Sequence, residues 1–374
     1  MSSILFIANV DWFFVSHRLP IAVEAVKNGY DTHLACTITK ETQTITREGI
    51  KVHDLSMERS GTAIFRELGS FARIFRIIRE VKPDIIHLIS IKPTIYGGLA
   101  CKLMRFRNVV ISISGLGYVY IGNELKTRML RLLISVFYRM AIKKDTFKVI
   151  FQNNDDLKTF IDMKAIGIND AIVIRGSGVD LKEFAPSIEP TGIPVAMLVS
   201  RLLIDKGVRE FVEAAKILKE RNCLVRMVIV GGCDPGNPKT VTEEQVKQWA
   251  SAGLIEYWGY QENVASTIKK SNMVVLPSYR EGMPKSLLEA AASARAIVTT
   301  DVPGCRDAII PNVMGLLVPV RDAPRLADGI EKLCRDTALR TSMAKAGRLF
   351  AEENFDIIEV VKKHISIYQA MLEQ

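Results

Sequence analysis

Arg280-Glu281-Gly282-Met283-Pro284-Lys285-Ser286-Leu287-Leu288-Glu289 places two carboxylates on either side of what reads as the start of a helix. The apolar run at 273–276 just before it reads as a buried strand, so this decapeptide is the strand-to-helix passage of an α/β unit. Proline loses nothing in a first helical turn, where its missing N–H has no partner. Pro284 is therefore expected at the first helical position, with Met283 as a cap that has no capping side chain. The amides of Lys285 and Ser286 then lack an internal acceptor at the positive end of a helix, which suits an anion such as a diphosphate. At about 1.5 Å per residue, Glu289 is expected roughly 7 to 8 Å along the helix, where a ribose beside a phosphate can donate to it. Glu281, on the loop, faces whatever lies on the other side of the diphosphate. A capped surface helix with two solvated glutamates is the competing reading, and the Gly-x-Pro between the carboxylates weighs against it.

The surrounding chain alternates apolar runs with helix-periodic runs, the pattern of parallel sheets covered by helices on both faces. Strands are predicted at 4–8, 31–35, 85–88, 109–113 and 148–151, then at 194–199, 226–230, 254–257, 273–276, 296–299 and 315–318. Helices are predicted notably at 207–220, 284–292, 323–336 and 356–372. The stretch 175–192 is rich in Gly, Pro and Ser without periodicity. The expected organisation is α/β: two Rossmann-like parallel-sheet domains, 1–180 and 193–354, joined by a linker at 181–192 and facing a central cleft. Ligands belong at the carboxyl ends of such strands.

Composition narrows the classes of function. Of 374 residues 48% are hydrophobic and 24% charged, which describes a folded chain, and no uncharged apolar window is long enough to span a bilayer. The apolar start, 4–15, is interrupted by Asp11 and has no Lys or Arg before it, so a first strand is expected there and not a signal peptide. Six cysteines are scattered with no C-x-x-C pair, the usage of a reduced, cytosolic protein without a thiolate metal site. Asn9-Val10-Asp11-Trp12-Phe13 follows the first strand where a dinucleotide enzyme would carry G-x-G-x-x-G, and no P-loop, zinc-protease helix or nucleophile elbow occurs. The net charge of +9 falls almost wholly in the first half, without the interleaved aromatics of a nucleic-acid platform.

A second cationic element, Ser200-Arg201-Leu202-Leu203-Ile204-Asp205-Lys206-Gly207, leaves the first strand of the second domain and opens a helix. A guanidinium and an ammonium at a strand's carboxyl end can hold a diphosphate and neutralise it as a leaving group, work otherwise given to a divalent metal. No D-x-D cluster lies near. Local pairing with Asp205 and Glu210 is the plain alternative.

S-R-L-x-x-x-K-G at 200–207, V-I-V-G-G at 228–232, L-P-S-Y-R-E-G-M-P-x-S-L-L-E-A at 276–290 and D-V-P-G-C-x-D-A-I from Asp301 together resemble the retaining glycosyltransferases of GT-B architecture, family four. The resemblance covers the second domain nearly throughout. It implies a nucleotide-sugar donor, by family habit UDP-linked, and neither metal nor other cofactor. Arg201 and Lys206 would hold the donor diphosphate, Glu281 the donor-sugar hydroxyls and Glu289 the ribose. Gly282, Met283, Pro284, Lys285 and Ser286 would lie beside sugar and phosphate, and 355–374 resembles the helix that returns to the first domain.

The first domain departs from the commonest family pattern. Ser114-Gly115-Leu116-Gly117 stands where many members carry an active-site His-Gly. His17, in Val15-Ser16-His17-Arg18-Leu19-Pro20, is the nearest replacement, and with S-G-L-G-x-x-Y it is similar to a bacterial subgroup acting on undecaprenyl-diphosphate-linked saccharides. That likeness implies acceptor-side roles for His17, Arg18, Gly115 and Gly117, a part in O-antigen or other surface-polysaccharide assembly, and a place on the inner face of the cytoplasmic membrane. The alternative for His17 is packing beside Trp12, and His87 reads as structural.

Two basic stretches are expected to meet an anionic membrane surface: Arg59, Arg66, Arg73, Arg76 and Arg79 beside Ile64, Phe65, Leu68, Phe71 and Phe75, and 125–144 with Lys126, Arg128, Arg131, Arg139, Lys143 and Lys144. Helices that cover their own sheet are the alternative. Rival functions are another GT-B enzyme (an inverting transferase or a sugar-nucleotide 2-epimerase), a non-catalytic sugar-nucleotide binder, and a membrane-binding protein with an incidental cleft.

Overall fold

The computed structural model describes residues 1–57, 64–122, 124–234 and 236–373. The chain begins β1 (Ser3–Val10), α1 (Asp11–His17), α2 (Leu19–Lys27), β2 (Asp31–Thr37), α3 (Thr42–Arg47), β3 (Lys51–Asp54), α4 (Ile64–Val81), β4 (Ile85–Ile89) and α5 (Ile91–Leu103). It continues β5 (Val109–Ile113), α6 (Leu125–Ala141), β6 (Lys148–Phe151), α7 (Asn154–Asp162), β7 (Ala171–Val173), β8 (Val195–Val199), α8 (Val208–Glu220) and β9 (Arg226–Val230). Then come α9 (Glu243–Ser251), β10 (Glu256–Gly259), α10 (Val264–Ile268), β11 (Met273–Leu276), α11 (Lys285–Ala292), β12 (Ala296–Thr300) and β13 (Gly315–Val318). Three helices close the chain: α12 (Ala323–Arg335), α13 (Thr337–Asn354) and α14 (Ile357–Leu372).

Two compact units form, one of Met1–Ser177 with Ile357–Gln374, the other of Gly178–Asp356. The first holds a parallel sheet of order β3-β2-β1-β4-β5-β6-β7, and the second one of order β10-β9-β8-β11-β12-β13. Helices cover both faces of a parallel sheet, so central strands are buried on both sides. Every residue of β4, β5, β11 and β12 is buried, which is why these strands read as mainly apolar runs.

Three elements went unforeseen, for identifiable reasons. β3 and β7 are short edge strands with half-exposed residues, so neither has a buried apolar run. α13 buries Arg340, Met343, Ala344, Gly347 and Ala351, a stripe too small and polar to register as amphipathic. Residues 181–192, expected as a linker, belong to the second unit. Glu189 there accepts from Arg340 Nε at 2.9 Å and Asn272 Nδ2 at 3.0 Å, and Ser187 Oγ accepts from Arg295 Nη2 at 2.7 Å.

The last helix, α14, is part of the first unit. Its Val360, Val361, Ile365 and Met371 share a buried cluster with Ile21, Ala22 and Ala25 of α2. Through Tyr368 it also enters a polar interior. His87, fully buried on β4, has Nδ1 2.6 Å from Tyr368 Oη and Nε2 2.7 Å from Ser112 Oγ. Burial, with His364 and Arg18 nearby, drives the His87 pKa far below its ordinary value, so the ring is neutral and structural.

The two basic helices differ. On α4, Ile74, Ile77 and Ile78 are buried, with Phe71 and Phe75 packed against the same core. Its apolar face therefore covers the sheet, contrary to the expectation of a lipid-facing stripe. Arg73 donates to the Leu55 carbonyl at 2.9 Å, and Arg76 pairs with Glu80 at 2.8 Å. Arg59 lies outside the described residues, as do the side chains of Ile64, Phe65, Arg66 and Lys126.

Tyr368→Phe should leave the His87 ring short of one buried partner. The expected cost is about 1 to 3 kcal/mol, read as a lowered urea midpoint at unchanged m-value.

Candidate active site

In the second unit the strand order reverses between β8 and β11, and the loops leaving these neighbours open a crevice at the carboxyl edge of the sheet. One loop carries Arg201 and Lys206, the other Ser278 to Glu281. Lys206 Nζ lies 2.5 Å from Glu281 Oε1. Ser278 Oγ is 2.6 Å from the same carboxylate oxygen and 3.0 Å from the Asp205 carbonyl, so its single proton serves one of them at a time. The Asp205 carbonyl also accepts from Tyr279 N at 2.9 Å. Two loops distant in sequence are thus tied by one ion pair and a backbone bond.

Close approach of backbones makes this possible. Gly207, at φ +75°, sits where a Cβ would run into the Pro277 carbonyl oxygen. Gly304, at φ +80°, sits where a Cβ would lie 2.5 Å from the Glu281 carbonyl oxygen, and Glu281 N donates to Pro303 O at 3.1 Å. Only glycine meets both demands.

The ion pairs of the basic loop are not those of the alternative reading, local pairing with Asp205 and Glu210: Lys206 meets Glu281. Arg201 Nη1 lies 2.7 Å from Asp234 Oδ2, on the loop after β9. Glu210 accepts from Tyr279 Oη at 2.6 Å, and Arg321 lies over the Tyr279 ring, 4.6 Å from its centroid.

The helix after β11 starts one residue later than expected. Pro284 is the N-cap, its ψ of 116° extended, and its carbonyl accepts from Leu287 N at 3.0 Å. Met283 is thus the residue before the cap. It shares one buried cluster with Leu288 at the fourth helical position, the arrangement of a hydrophobic staple that fixes the entry of the chain. Lys285 and Ser286, both half-buried, supply the first helical amides, and Gly282 is buried beside them.

Glu289 follows four residues into α11, about 6 Å along the helix, less than the expected span. It is 6% exposed, with Lys285 Nζ 3.5 Å from Oε1. Burial lifts its carboxyl pKa to about 7 against the pull of Lys285, with Glu183 adding to the rise. A carboxyl so placed is poised to accept hydrogen bonds that would compensate its ionisation.

In the first unit, the His17 ring stacks on Phe13, centroids 4.3 Å apart. Its Nδ1 lies 3.2 Å from the Phe13 carbonyl. Arg18, given an acceptor-side role by the resemblance, is 2% exposed. Its Nη1 donates to the His17 carbonyl at 2.9 Å and Ser177 Oγ at 3.2 Å, and its Nη2 to Ser114 Oγ at 3.1 Å. Burial lowers its pKa to about 10, Tyr368 opposing the shift. Gly115 and Gly117, at φ +114° and +69°, shape the turn that follows Ser114. Among the described residues no group of three or more His, Cys, Asp or Glu is gathered to hold a metal ion.

Sequence reasoning missed Asp234 and Ser278. Asp234 follows the glycine pair at 231–232, which marked the loop but not its ionic partner. Ser278 lies inside the matched motif, three residues before Glu281.

The family model for glycosyl transferases group 1 matches residues 180–350, and the glycosyl transferase 4-like model matches residues 3–153. The chain is 28% identical to N,N'-diacetylbacillosaminyl-diphospho-undecaprenol alpha-1,3-N-acetylgalactosaminyltransferase of Campylobacter jejuni, over 95% of each chain. It is 25% identical to UDP-Gal:alpha-D-GlcNAc-diphosphoundecaprenol alpha-1,3-galactosyltransferase of Escherichia coli, over 83% of this chain and 81% of that one. Among solved structures, Anabaena HepE in complex with UDP and glucose superposes with a TM-score of 0.79 at 15% identity, covering 98% of this chain and 99% of that one. Sucrose-phosphate synthase from Thermosynechococcus elongatus gives 0.81 at 18% identity over the whole of both chains. These likenesses establish a GT-B fold.

The raised pKa of Glu289 sets a pH dependence of stability. Between the ordinary value of 4.5 and about 7, the folded protein keeps a proton that the unfolded chain has released. The contribution is full below 4.5, falls as pH rises, and is gone above about 7. Glu289→Gln should abolish this slope, gaining about 3 kcal/mol relative to wild type between acid and mildly alkaline pH. Urea unfolding of both proteins across that range checks it; parallel curves would refute the raised pKa.

Proposed function

We propose that this chain, which belongs to the group 1 glycosyltransferases, moves a hexose or N-acetylhexosamine from a nucleotide sugar to a saccharide carried on a polyprenyl diphosphate. A UDP-linked donor is the choice of this reading. The Campylobacter relative, whose name specifies a diphospho-undecaprenol acceptor and which aligns over 95% of each chain, supports the acceptor class.

The observation that carries the donor assignment is the Lys206–Glu281 pair at the reversal of the sheet, with Arg201 on the same loop as Lys206. A nucleotide sugar presents a dianionic diphosphate between two hydroxylated rings. The diphosphate takes Lys206, Arg201 and the amides of Lys285 and Ser286. Glu281 accepts from hydroxyls of the donor sugar, with Gly282, Met283 and Pro284 lining its backbone side. Glu289 accepts from the ribose. At Lys206, Arg201, Glu281 and Glu289 a donor phosphate oxygen or hydroxyl takes up a role that a protein partner now fills.

In the reaction the bond from the anomeric carbon to the diphosphate breaks as the acceptor hydroxyl bonds to that carbon. Negative charge grows on the leaving oxygens, and Arg201 and Lys206 stabilise it without reorganising. This assignment asks for no metal. The anomeric configuration is retained, by attack from the face that the leaving group departs from, and the leaving phosphate takes the acceptor's proton. His17, Gly115 and Gly117 serve the acceptor side, and Arg18 serves it by holding Ser114. An acceptor on a lipid requires the enzyme to work at a membrane surface, the inner face of the cytoplasmic membrane, as a peripheral protein of surface-polysaccharide assembly. Among the described residues no helix is long and apolar enough to cross a membrane.

Incubation with labelled UDP-sugars and an undecaprenyl-diphosphate saccharide should give a labelled lipid product whose proton NMR shows the donor's anomeric configuration, in chelator as without it. Donor converted in the absence of acceptor would favour an epimerase instead. Lys206→Ala should lower kcat by on the order of 10² to 10³ with little change in Tm. Wild-type turnover in that variant would remove the diphosphate assignment.

A further inference from the structure

α6 has an apolar face that the protein does not cover. Successive residues of a helix turn by about 100°. Ile134, Tyr138 and Ala141 therefore share one side, and that side meets the core, with Tyr138 fully buried against Phe160. On roughly the opposite arc lie Leu125, Met129, Leu132, Leu133, Val136 and Met140. Leu125 is 74% exposed, Met129 and Leu132 each 66%, Leu133 51% and Met140 50%. Leu103, at the end of α5 and 69% exposed, extends this surface, since the neighbouring Lys102 donates to the Met140 carbonyl at 2.6 Å. So much clustered apolar exposure on one helix marks an interaction surface.

Its charge identifies the partner. Arg128 and Arg139, three turns apart, flank one edge of the apolar arc, and both are exposed. Lys143 and Lys144 follow at the end of the helix, also exposed, and Arg105 and Arg107 lie beyond Leu103. From residue 125 to 144 the sequence contains no Asp or Glu. A second copy of the chain on this face would set the cationic rim against itself, because a two-fold interface repeats the same patch on both sides. An anionic bilayer surface offers acyl chains to the ridge and headgroup charge to the rim together.

We infer that α6 docks the first unit on an anionic leaflet, its Leu125 to Met140 ridge sunk among the acyl chains and Arg128, Arg139, Lys143 and Lys144 at the headgroups. This deepens the reading of a lipid-borne acceptor and uses no residue of the donor site. It also separates two helices that look alike in sequence, because α4 spends its apolar face on the core and, among its described side chains, leaves Leu68 as its one exposed large hydrophobic.

Sedimentation with vesicles of phosphatidylglycerol and phosphatidylcholine, against phosphatidylcholine alone, tests it. Wild type should pellet with the anionic vesicles. Met129→Glu with Leu132→Glu should weaken the partition on the order of tenfold or more, and each of Arg128→Gln and Arg139→Gln about fivefold. These side chains are exposed, so the thermal melts should match wild type. Transfer to a short-chain, water-soluble acceptor diphosphate should be unchanged in the Glu variant, and transfer to acceptor embedded in vesicles should fall. Equal pelleting of wild type and both variant sets overturns the inference, as does a wild-type dimer in light scattering that the Glu variant dissolves. Vesicle binding without any sugar transfer would sustain this inference and sink the enzymatic one.

Discussion

The ion pair between Lys206 and Glu281 joins the two loops that leave the second sheet where its strand order reverses. Much of that unit's carboxyl edge is arranged so that the pair can form. Gly207 lets the first loop turn against the Pro277 carbonyl, Gly304 lets a third segment lie on the Glu281 backbone, and Ser278 and the Asp205 carbonyl stitch the gap. A pair at this depth is a weak source of stability, because desolvating both charges costs about what their attraction returns. Its value lies in holding a cation and a carboxylate at fixed positions beside a helix start, ready to exchange each other for phosphate and hydroxyl. Glu289 extends the same logic one helical turn on: its burial makes ionisation costly, and hydroxyl donors on a ligand would lower that cost.

How much of this was legible before the structure depended on the range of the interaction. The central strands could be read because both faces of each are buried. β3 and β7 could not, since edge strands need not be apolar. The S-R-L-x-x-x-K-G and R-E-G-M-P-x-S-L-L-E segments named the donor-side residues, yet they gave no sign that Arg201 would meet Asp234, 33 positions away. The one-residue slip at Pro284 has a local cause. Proline's fixed φ suits a helix and an extended cap equally, so Pro284 alone does not place the boundary; its ψ of 116° does.

Charge was the least legible property. Nothing in the sequence around Arg18 marks it as interior, yet it is buried, with hydroxyls from Ser114 and Ser177 and a backbone carbonyl as partners. Those serines lie 96 and 159 residues away, beyond any sequence period. The two basic helices show the same limit in reverse. Similar patterns of Arg with Phe, Leu and Ile occur on α4 and α6, and only tertiary packing shows that α4 turns its apolar face inward while α6 leaves a second one outside.

A crystal structure with UDP bound tests the central claim most directly. The account predicts the diphosphate within hydrogen-bond distance of Arg201, Lys206 and the first amides of α11, Lys206 drawn from Glu281 toward phosphate, and the ribose hydroxyls on Glu289. UDP bound elsewhere, or bound in this crevice with Lys206 still on Glu281 and Glu289 untouched, would contradict it.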